Sequence, residues 1–216
     1  MFTQDTATFI AFAIILVVSL PAHELAHAAM ATAFGDPTPR SQGRLSFNPL
    51  RHLDPIGSLL LLVAGFGWAK PVQVDPNILR RRSPAALALV SVAGPGTNLL
   101  LALLGSALFR LHIVGLYWID GKTVPSAGQF LWDFVFINLV LMLFNVIPIA
   151  PLDGEEVLAF FLPSAGKRAL ASIRPYGMYV LLALILVGRF GGGGFAPLDT
   201  IIFRPANWLA RHFIGL

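Results

Sequence analysis

The sequence contains no cysteine and very little charge. Of its 216 residues, 12% are charged and 56% are hydrophobic, and the mean hydropathy is +0.75. Soluble domains carry about 25% charged residues, so this chain is neither a soluble globular domain nor a disordered one. Without cysteine it can form no disulfide and no thiolate metal site, and a metal ion would have to bind His, Asp or Glu. We therefore predict an all-α polytopic membrane protein in contact with the lipid bilayer.

Long uncharged runs predict where the chain crosses the membrane. A transmembrane helix needs about 20 apolar residues, and we expect spans at about residues 7–34, 85–109, 130–152 and 173–189. A further run, residues 56–69, has 14 residues. As a helix it would cover about 21 Å, which is short of a hydrocarbon core of about 30 Å. The prediction is four to five transmembrane helices, with a re-entrant segment or short hairpin over residues 56–69.

The chain is expected to divide near residue 190. Residues 1–190 are predicted to form one integral-membrane unit. The glycine tract at residues 191–194 is typical of a hinge or loop. The remaining residues mix aromatic and aliphatic side chains with basic ones, which favours an interfacial segment up to residue 216 over a further span.

Basic residues predict the orientation. Cytoplasmic loops concentrate Lys and Arg, and most basic residues of this chain follow the first or third predicted span. They are Arg40, Arg44, Arg51, Lys70, Arg80, Arg81, Arg82, Lys167, Arg168 and Arg174. These regions should face the cytoplasm and the N-terminus the outside, provided that residues 56–69 return to the side from which they enter. The net charge of +4 then reflects cytoplasmic loops, and no nucleic-acid partner is expected.

The segment from His23 to His27 fits the pattern H-E-x-x-H. On a helix, positions i and i+4 share one face. Two imidazoles placed in this way can bind one Zn²⁺, and the adjacent Glu24 can reach a water molecule at the open coordination position. Ionisable residues inside a span are costly and indicate a functional site by default. The alternative is a buried polar cluster that closes helix–helix contacts.

A catalytic zinc of this type needs a third protein ligand. Asp153 is the main candidate, because it follows two prolines that break a predicted span, and broken helices at membrane depth are tolerated where they line a cavity. The predicted orientation also puts His23 and Asp153 at similar depth. Alternatively, Asp153 simply ends the span at the interface. His52, His112 and His212 are isolated and are weaker candidates, with His52 first among them.

Two motifs together resemble the site-2 protease family of intramembrane zinc metalloproteases: HELAHA in the first span and FNVIPIAPLDG in a later one. Four further stretches resemble a bacterial branch of that family, and no PDZ-like insertion is evident. They are GDPTPR, GRLSFNP, FGWAKPV and AGPGTN. The resemblance covers about residues 10 to 160. It implies a bacterial cytoplasmic (inner) membrane protein whose active site lies towards the cytoplasmic side.

The resemblance also implies a role for each residue of the site. His23, His27 and Asp153 would hold one Zn²⁺ per chain. Glu24 would be the general base that activates water and later passes a proton to the leaving amine. Asn145 matches a position suggested to steady the oxyanion or the substrate backbone.

Asn98 matches a second polar position that faces the site. For this residue the alternative is an interhelical hydrogen bond beside the small residues Gly94 and Gly96, which permit close packing. Residues 44–48 alternate polar and apolar side chains, which predicts a β segment at about residues 43–49. By resemblance, its edge would pair with an unwound substrate segment; the alternative is an ordinary loop strand.

These expectations define a zinc-dependent intramembrane endopeptidase. Its substrate would be a membrane protein cleaved in or near a transmembrane segment, within regulated intramembrane proteolysis. The alternative is a non-catalytic zinc-binding scaffold or transporter. Glu24 favours the protease, since a zinc carrier gains nothing from a base beside its ligands. A transporter would also carry further intramembrane acidic or His residues along a path.

Overall fold

The computed structural model describes residues 6–57, 59, 69–116, 124–190 and 197–216. Its helices, within these ranges, are α1 (Thr6–Ala33), α2 (Thr38–Ser41), α3 (Pro76–Arg82), α4 (Ala86–Arg110), α5 (Ala127–Val146), α6 (Asp153–Phe161), α7 (Ser164–Ile173), α8 (Gly177–Phe190) and α9 (Arg204–Ile214). Short 3₁₀ turns cover Pro49–Arg51 and Arg174–Tyr176, and a π-helical turn, Asp199–Phe203, precedes α9.

Four stretches of the described chain are long and apolar enough to cross a membrane: Phe9–Ala33, Ala86–Arg110, Ala127–Val146 and Ser164–Gly188. The prediction of a helical polytopic membrane protein is therefore confirmed. The third span is shorter than predicted and ends at Val146. The reason is Pro148, which disfavours the α conformation in the residue before it, and Ile147 is accordingly extended, with φ −60° and ψ 129°.

Helix α4 packs against both α1 and α5, which also contact each other. Small buried residues on these helices allow the backbones to approach closely. Ala31 of α1 packs with Ala86 and Val90 of α4, and Ala102 of α4 packs with Val135 and Leu139 of α5. The central position of α4 presents one of its faces to the HExxH turn of α1.

The predicted β segment at residues 43–49 is wrong: these residues form turns and bends. Gly43 adopts φ +67°. The side chain of Arg44 is buried and donates to loop carbonyl oxygens, including those of Lys70 and Pro71. Asn48 accepts from the backbone N–H of Leu50, and such local hydrogen bonds compete with strand pairing. Within the described residues, β pairing is limited to one antiparallel bridge, between Leu53 and Ala69.

Two other predicted features lie largely outside the described residues. The re-entrant segment at residues 56–69 includes residues 58 and 60–68, which the structure does not describe, and the glycine tract at residues 191–194 is not described either. Both stay predictions, as does the division of the chain near residue 190. The described part of the C-terminal segment does pack on the bundle: α9 buries Ala206 and Ala210 against α4 and α5.

Asp36 organises the loop region between α1 and α4. Its carboxylate accepts from the backbone N–H of Thr38 at 2.9 Å and from that of Asp75 at 2.7 Å. Burial acts to raise the pKa of Asp36, but the hydrogen bonds from Thr38 and Asp75 outweigh it and hold the pKa below its ordinary value. The resulting stabilisation is present above the ordinary pKa and is lost as the pH falls through the lowered one.

Arg174 joins α6 to the start of α8. Its Nη2 contacts both carboxylate oxygens of Glu155 at 2.7 Å and Oε1 of Glu156 at 2.7 Å, and its Nε lies 3.0 Å from Glu155 Oε1. The Glu155 side chain is only 6% exposed. Without Arg174 this carboxylate would be buried and uncompensated, which is costly.

We therefore expect Arg174→Met to lower the free energy of unfolding by about 2–3 kcal/mol. For a chain of this size that lowers the thermal midpoint in detergent by about 4–12 °C. Arg204→Met is the matched control. Its pair with Asp199 is exposed, at 75% and 43% of the two side chains, and such pairs contribute about 0–1 kcal/mol. Equal losses in the two variants would show that Arg174 does not fix α6.

Candidate metal centre

The two histidines of the HExxH turn face the same side of α1. His23 and His27 are 5% and 8% exposed, and their Nε2 atoms are 3.0 Å apart. Pro21 lies inside α1, which nevertheless continues to Ala33. The i, i+4 spacing thus places both rings on one face of one helix, as the sequence predicted, and the rings meet edge to face.

Asp153 joins them from the first residue of α6. Its Oδ2 lies 3.2 Å from Nε2 of His23 and 3.4 Å from Nε2 of His27. This oxygen is buried and has no hydrogen-bond donor among the described residues. The chain reaches this position through the turn after α5, in which the Ala150–Pro151 peptide bond is cis. The structure therefore brings together the three side chains that the sequence singled out.

Two glycines make these approaches possible. A Cβ on Gly94 of α4 would lie 2.6 Å from ring atoms of His23 and would overlap Nε2 of His27. A Cβ on Gly154 would overlap the carbonyl oxygen of Val146 at the end of α5. Gly94 therefore lets α4 contact both imidazoles, and Gly154 lets α6 begin close to α5 with Asp153 directed at the histidines.

The outer nitrogens of both rings are held by hydrogen bonds. Nδ1 of His27 donates to the carbonyl oxygen of Val90 at 2.7 Å, and Nδ1 of His23 donates to Oδ1 of Asn98 at 2.6 Å. Both partners belong to α4. Such contacts fix a ring's orientation and leave Nε2 for the centre of the group.

The carboxylate of Glu24 is bound by the loop that precedes α3. Its Oε2 accepts from the backbone N–H of Val72 at 3.0 Å. Val72 follows Lys70 and Pro71, whose carbonyl oxygens bind Arg44. The sequence did not predict this contact, because the donor is a backbone N–H, which every residue except proline has.

The two asparagines that the sequence singled out are both engaged in hydrogen bonds. Asn98 is fully buried, and its amide hydrogen-bonds to His23 of the metal-binding group and to Asn138 of α5. Asn145 donates to the carbonyl oxygen of Leu141 at 3.0 Å, within its own helix.

The other three histidines do not join the group. His52 is fully buried and contacts the carbonyl oxygen of Ser46 at 2.8 Å. His112 lies two residues after the end of α4 and has φ 55°. His212 stacks on Trp208, with ring centroids 5.5 Å apart. Among the described residues, the one group suited to a metal ion is His23, His27 and Asp153.

A cleft of about 400 Å³ opens beside Asp153. Its walls are the turn from Ala150 to Asp153, Ser91 of α4, the pair Glu155–Glu156, Arg174 and Pro175 of the 3₁₀ turn, and Met178 of α8. The group is therefore buried on its α4 side, and Asp153 connects it to this cleft.

The donor set fits a zinc ion. Tetrahedral zinc with bonds of about 2.0–2.1 Å places its ligand atoms about 3.3 Å from one another. The three separations in the structure are 3.0, 3.2 and 3.4 Å. Two imidazole nitrogens and one carboxylate oxygen are also a common catalytic set, because they leave a coordination position open.

Comparison with known proteins finds similarity to peptidases. The model of the family described as "Peptidase family M50" matches residues 111–188. The chain is 42% identical over 204 residues to "Putative zinc metalloprotease YwhC" of Bacillus subtilis, an alignment that covers 89% of this chain and 92% of that protein.

More distant relatives carry similar names. The chain is 33% identical over 179 residues to "Putative zinc metalloprotease Rip2" of Mycolicibacterium smegmatis, covering 79% of this chain and 64% of that protein. It is 34% identical over 140 residues to "Putative zinc metalloprotease MJ0611" of Methanocaldococcus jannaschii, covering 63% of this chain and 62% of that protein. The chain thus spans a little under two thirds of these two relatives. No solved structure matches it.

Gly94→Ala tests the shape of the centre. The added methyl group overlaps both imidazoles, so the rings or α4 must move at a cost of about 1–3 kcal/mol. We expect affinity for Zn²⁺, measured by chelator competition, to fall about 10-fold or more. Gly96→Ala is the control, because a Cβ there meets nothing within 4 Å. If the two variants bind the ion equally well, the close approach of α4 is not part of the site.

Proposed function

The chain belongs to peptidase family M50, the site-2 protease family, and we propose that it is a zinc-dependent intramembrane endopeptidase. It hydrolyses peptide bonds in or near transmembrane segments of other membrane proteins, within regulated intramembrane proteolysis. The observation that carries the proposal is the convergence of His23, His27 and Asp153, with separations that suit zinc, directly beside Glu24.

In this proposal His23, His27 and Asp153 hold the ion. A bound zinc ion supplies Lewis acidity towards water and the scissile carbonyl group. The chain's own contribution is a donor set kept rigid by Val90 and Asn98 and shielded from bulk water on the α4 side.

Glu24 is the proposed general base. The Val72 N–H binds Oε2 and so holds the carboxylate in one orientation. Oε1 then accepts a proton from the attacking water and returns it to the leaving nitrogen of the cleaved bond. Positioned general bases of this kind contribute about 10²–10⁴-fold to rate.

The cleft beside Asp153 is the proposed entrance for substrate. Its walls combine apolar side chains such as Leu152 and Met178 with the ionic group around Arg174. A peptide must be extended for its carbonyl group to reach the histidines, and a cleft of this size accepts a short stretch of extended chain. Asn145, on the last turn of α5, stays the proposed contact for the substrate backbone or oxyanion.

Glu24→Gln and Asp153→Ala separate the two proposed roles. In Glu24→Gln we expect zinc to be retained while cleavage falls at least 100-fold. In Asp153→Ala we expect both zinc and cleavage to be lost. Zinc is measured by elemental analysis of purified protein, and cleavage with a labelled peptide that contains one transmembrane segment. Asp199→Asn, a change at an exposed carboxylate, serves as control. Full zinc in Asp153→Ala would place the third ligand elsewhere.

We also propose an orientation in the bacterial inner membrane. The N-terminus lies outside and the site lies towards the cytoplasm, because α3 carries three consecutive exposed arginines, Arg80 to Arg82, and cytoplasmic segments are rich in basic residues.

Single cysteines test this orientation cleanly, since the chain has none of its own. Arg81→Cys precedes α4 and His112→Cys follows it, and both positions are exposed. With a membrane-impermeant thiol reagent on intact spheroplasts, we expect His112→Cys to react at once and Arg81→Cys to react only after permeabilisation. The reverse pattern would contradict the orientation and leave the peptidase proposal intact.

A further inference from the structure

Two buried asparagines connect His23 to the backbone of α5. Oδ1 of Asn98 accepts from Nδ1 of His23 at 2.6 Å, and Nδ2 of Asn98 donates to Oδ1 of Asn138 at 3.0 Å. Both asparagines are fully buried. His23, Asn98 and Asn138 thus form a hydrogen-bonded row that crosses from α1 through α4 to α5. Its last member, Asn138, touches neither the metal-binding group nor the cleft.

The direction of every hydrogen bond in this row follows from its far end. Nδ2 of Asn138 contacts the carbonyl oxygen of Phe134 at 2.9 Å. A carbonyl oxygen can only accept, so Asn138 must present its NH₂ group there. The same NH₂ group donates to Oγ of Ser19 at 3.0 Å. Oδ1 of Asn138 is therefore the atom that faces Asn98.

The constraint passes on to the histidine. Since Oδ1 of Asn138 accepts, Asn98 must donate through Nδ2 and present Oδ1 to His23. An amide oxygen cannot donate, so the hydrogen of the neutral imidazole must sit on Nδ1. Nε2 then carries the lone pair, and Nε2 is the atom 3.2 Å from Asp153.

The tautomer of His27 is determined in the same way by a single hydrogen bond. Its Nδ1 faces the carbonyl oxygen of Val90 at 2.7 Å, which also requires the hydrogen on Nδ1 and the lone pair on Nε2. Each ring is thus ultimately oriented by a backbone carbonyl oxygen: His27 directly by Val90, and His23 through two amides by Phe134. Only the second arrangement depends on side chains that can be substituted.

We propose that Asn98 and Asn138 are positioning residues that set the tautomer and orientation of His23 for metal binding. In this proposal Asn98 acts on His23, a metal-binding residue, and not on the substrate. The identity of the ion rests on the proposed function, whereas the tautomer does not. Loss of the partner that orients a ligating histidine commonly weakens metal binding about 10–100-fold.

Buried amides could instead serve only to stabilise helix contacts. In that case a substitution in the row would lower the free energy of unfolding but would not specifically weaken metal binding by His23. The proposed role predicts that substitution weakens Zn²⁺ binding most at Asn98, less at Asn138 and least at Ser19. The effect at Ser19 is smallest because the carbonyl oxygen of Phe134 still orients Asn138 when the Ser19 hydroxyl is lost.

The test compares Asn98→Leu, Asn138→Leu and Ser19→Ala. Ser106→Ala is the matched control, since Ser106 is buried on α4 and donates only to Ala102 of its own helix. We expect the Zn²⁺ dissociation constant, measured by chelator competition, to rise about 10–100-fold in Asn98→Leu, less in Asn138→Leu, and not in Ser19→Ala or Ser106→Ala. Asn98→Asp keeps an acceptor opposite Nδ1 and should retain affinity within a few-fold of wild type.

The second readout is the tautomer itself, measured in metal-free protein by nitrogen NMR of labelled histidine, with His23→Gln to assign the signal. Wild type should show hydrogen on Nδ1 of His23, and Asn98→Leu should show a mixture. Hydrogen on Nε2 in wild type, or equal affinity losses in Asn98→Leu and Ser106→Ala, would overturn the proposal. If wild type binds no zinc, the proposed function fails, while the metal-free spectrum still decides the role of Asn98 and Asn138.

Discussion

The contact between α4 and the HExxH turn of α1 is the constraint on which the rest of the structure depends. Gly94 allows the helices to meet at the two imidazoles, and Val90 and Asn98, one turn to either side, bind their outer nitrogens. The chain thereby pairs polar groups that would be expensive to leave unpaired in a bilayer. The arrangement works only because the helix opposite the histidines has no side chain where they need space.

The site and the stability of the bundle are consequently hard to separate. The network from His23 to Phe134 is also the polar contact between α1, α4 and α5, and in an apolar core such a network is favourable only when every member is satisfied. Asp153 connects α6 to the histidines of α1, and the ion pair between Arg174 and Glu155 connects α6 to the turn before α8. A change that shifts one helix therefore alters the metal-binding group as well as the packing.

The sequence predicted four spans, with different ends for the last two, and it singled out His23, His27 and Asp153, because charge depletion and helical spacing are local properties. It did not predict the turns at residues 43–49, where a two-residue alternation also fits a loop that buries Arg44. Nor could it predict the hydrogen bond between Asn98 and Asn138. That contact depends on the rotation of two helices about their axes, and the amides carry no pattern that specifies it.

The order of these residues along the chain determines when the site becomes complete. Translation delivers the two histidines first, then the α4 residues that bind them, and much later the turn that carries Asp153. Until α6 is made, the pair of imidazoles lacks the carboxylate oxygen of Asp153. The group of three metal-binding side chains is therefore complete only after most of the chain, through the start of α6, has been synthesised.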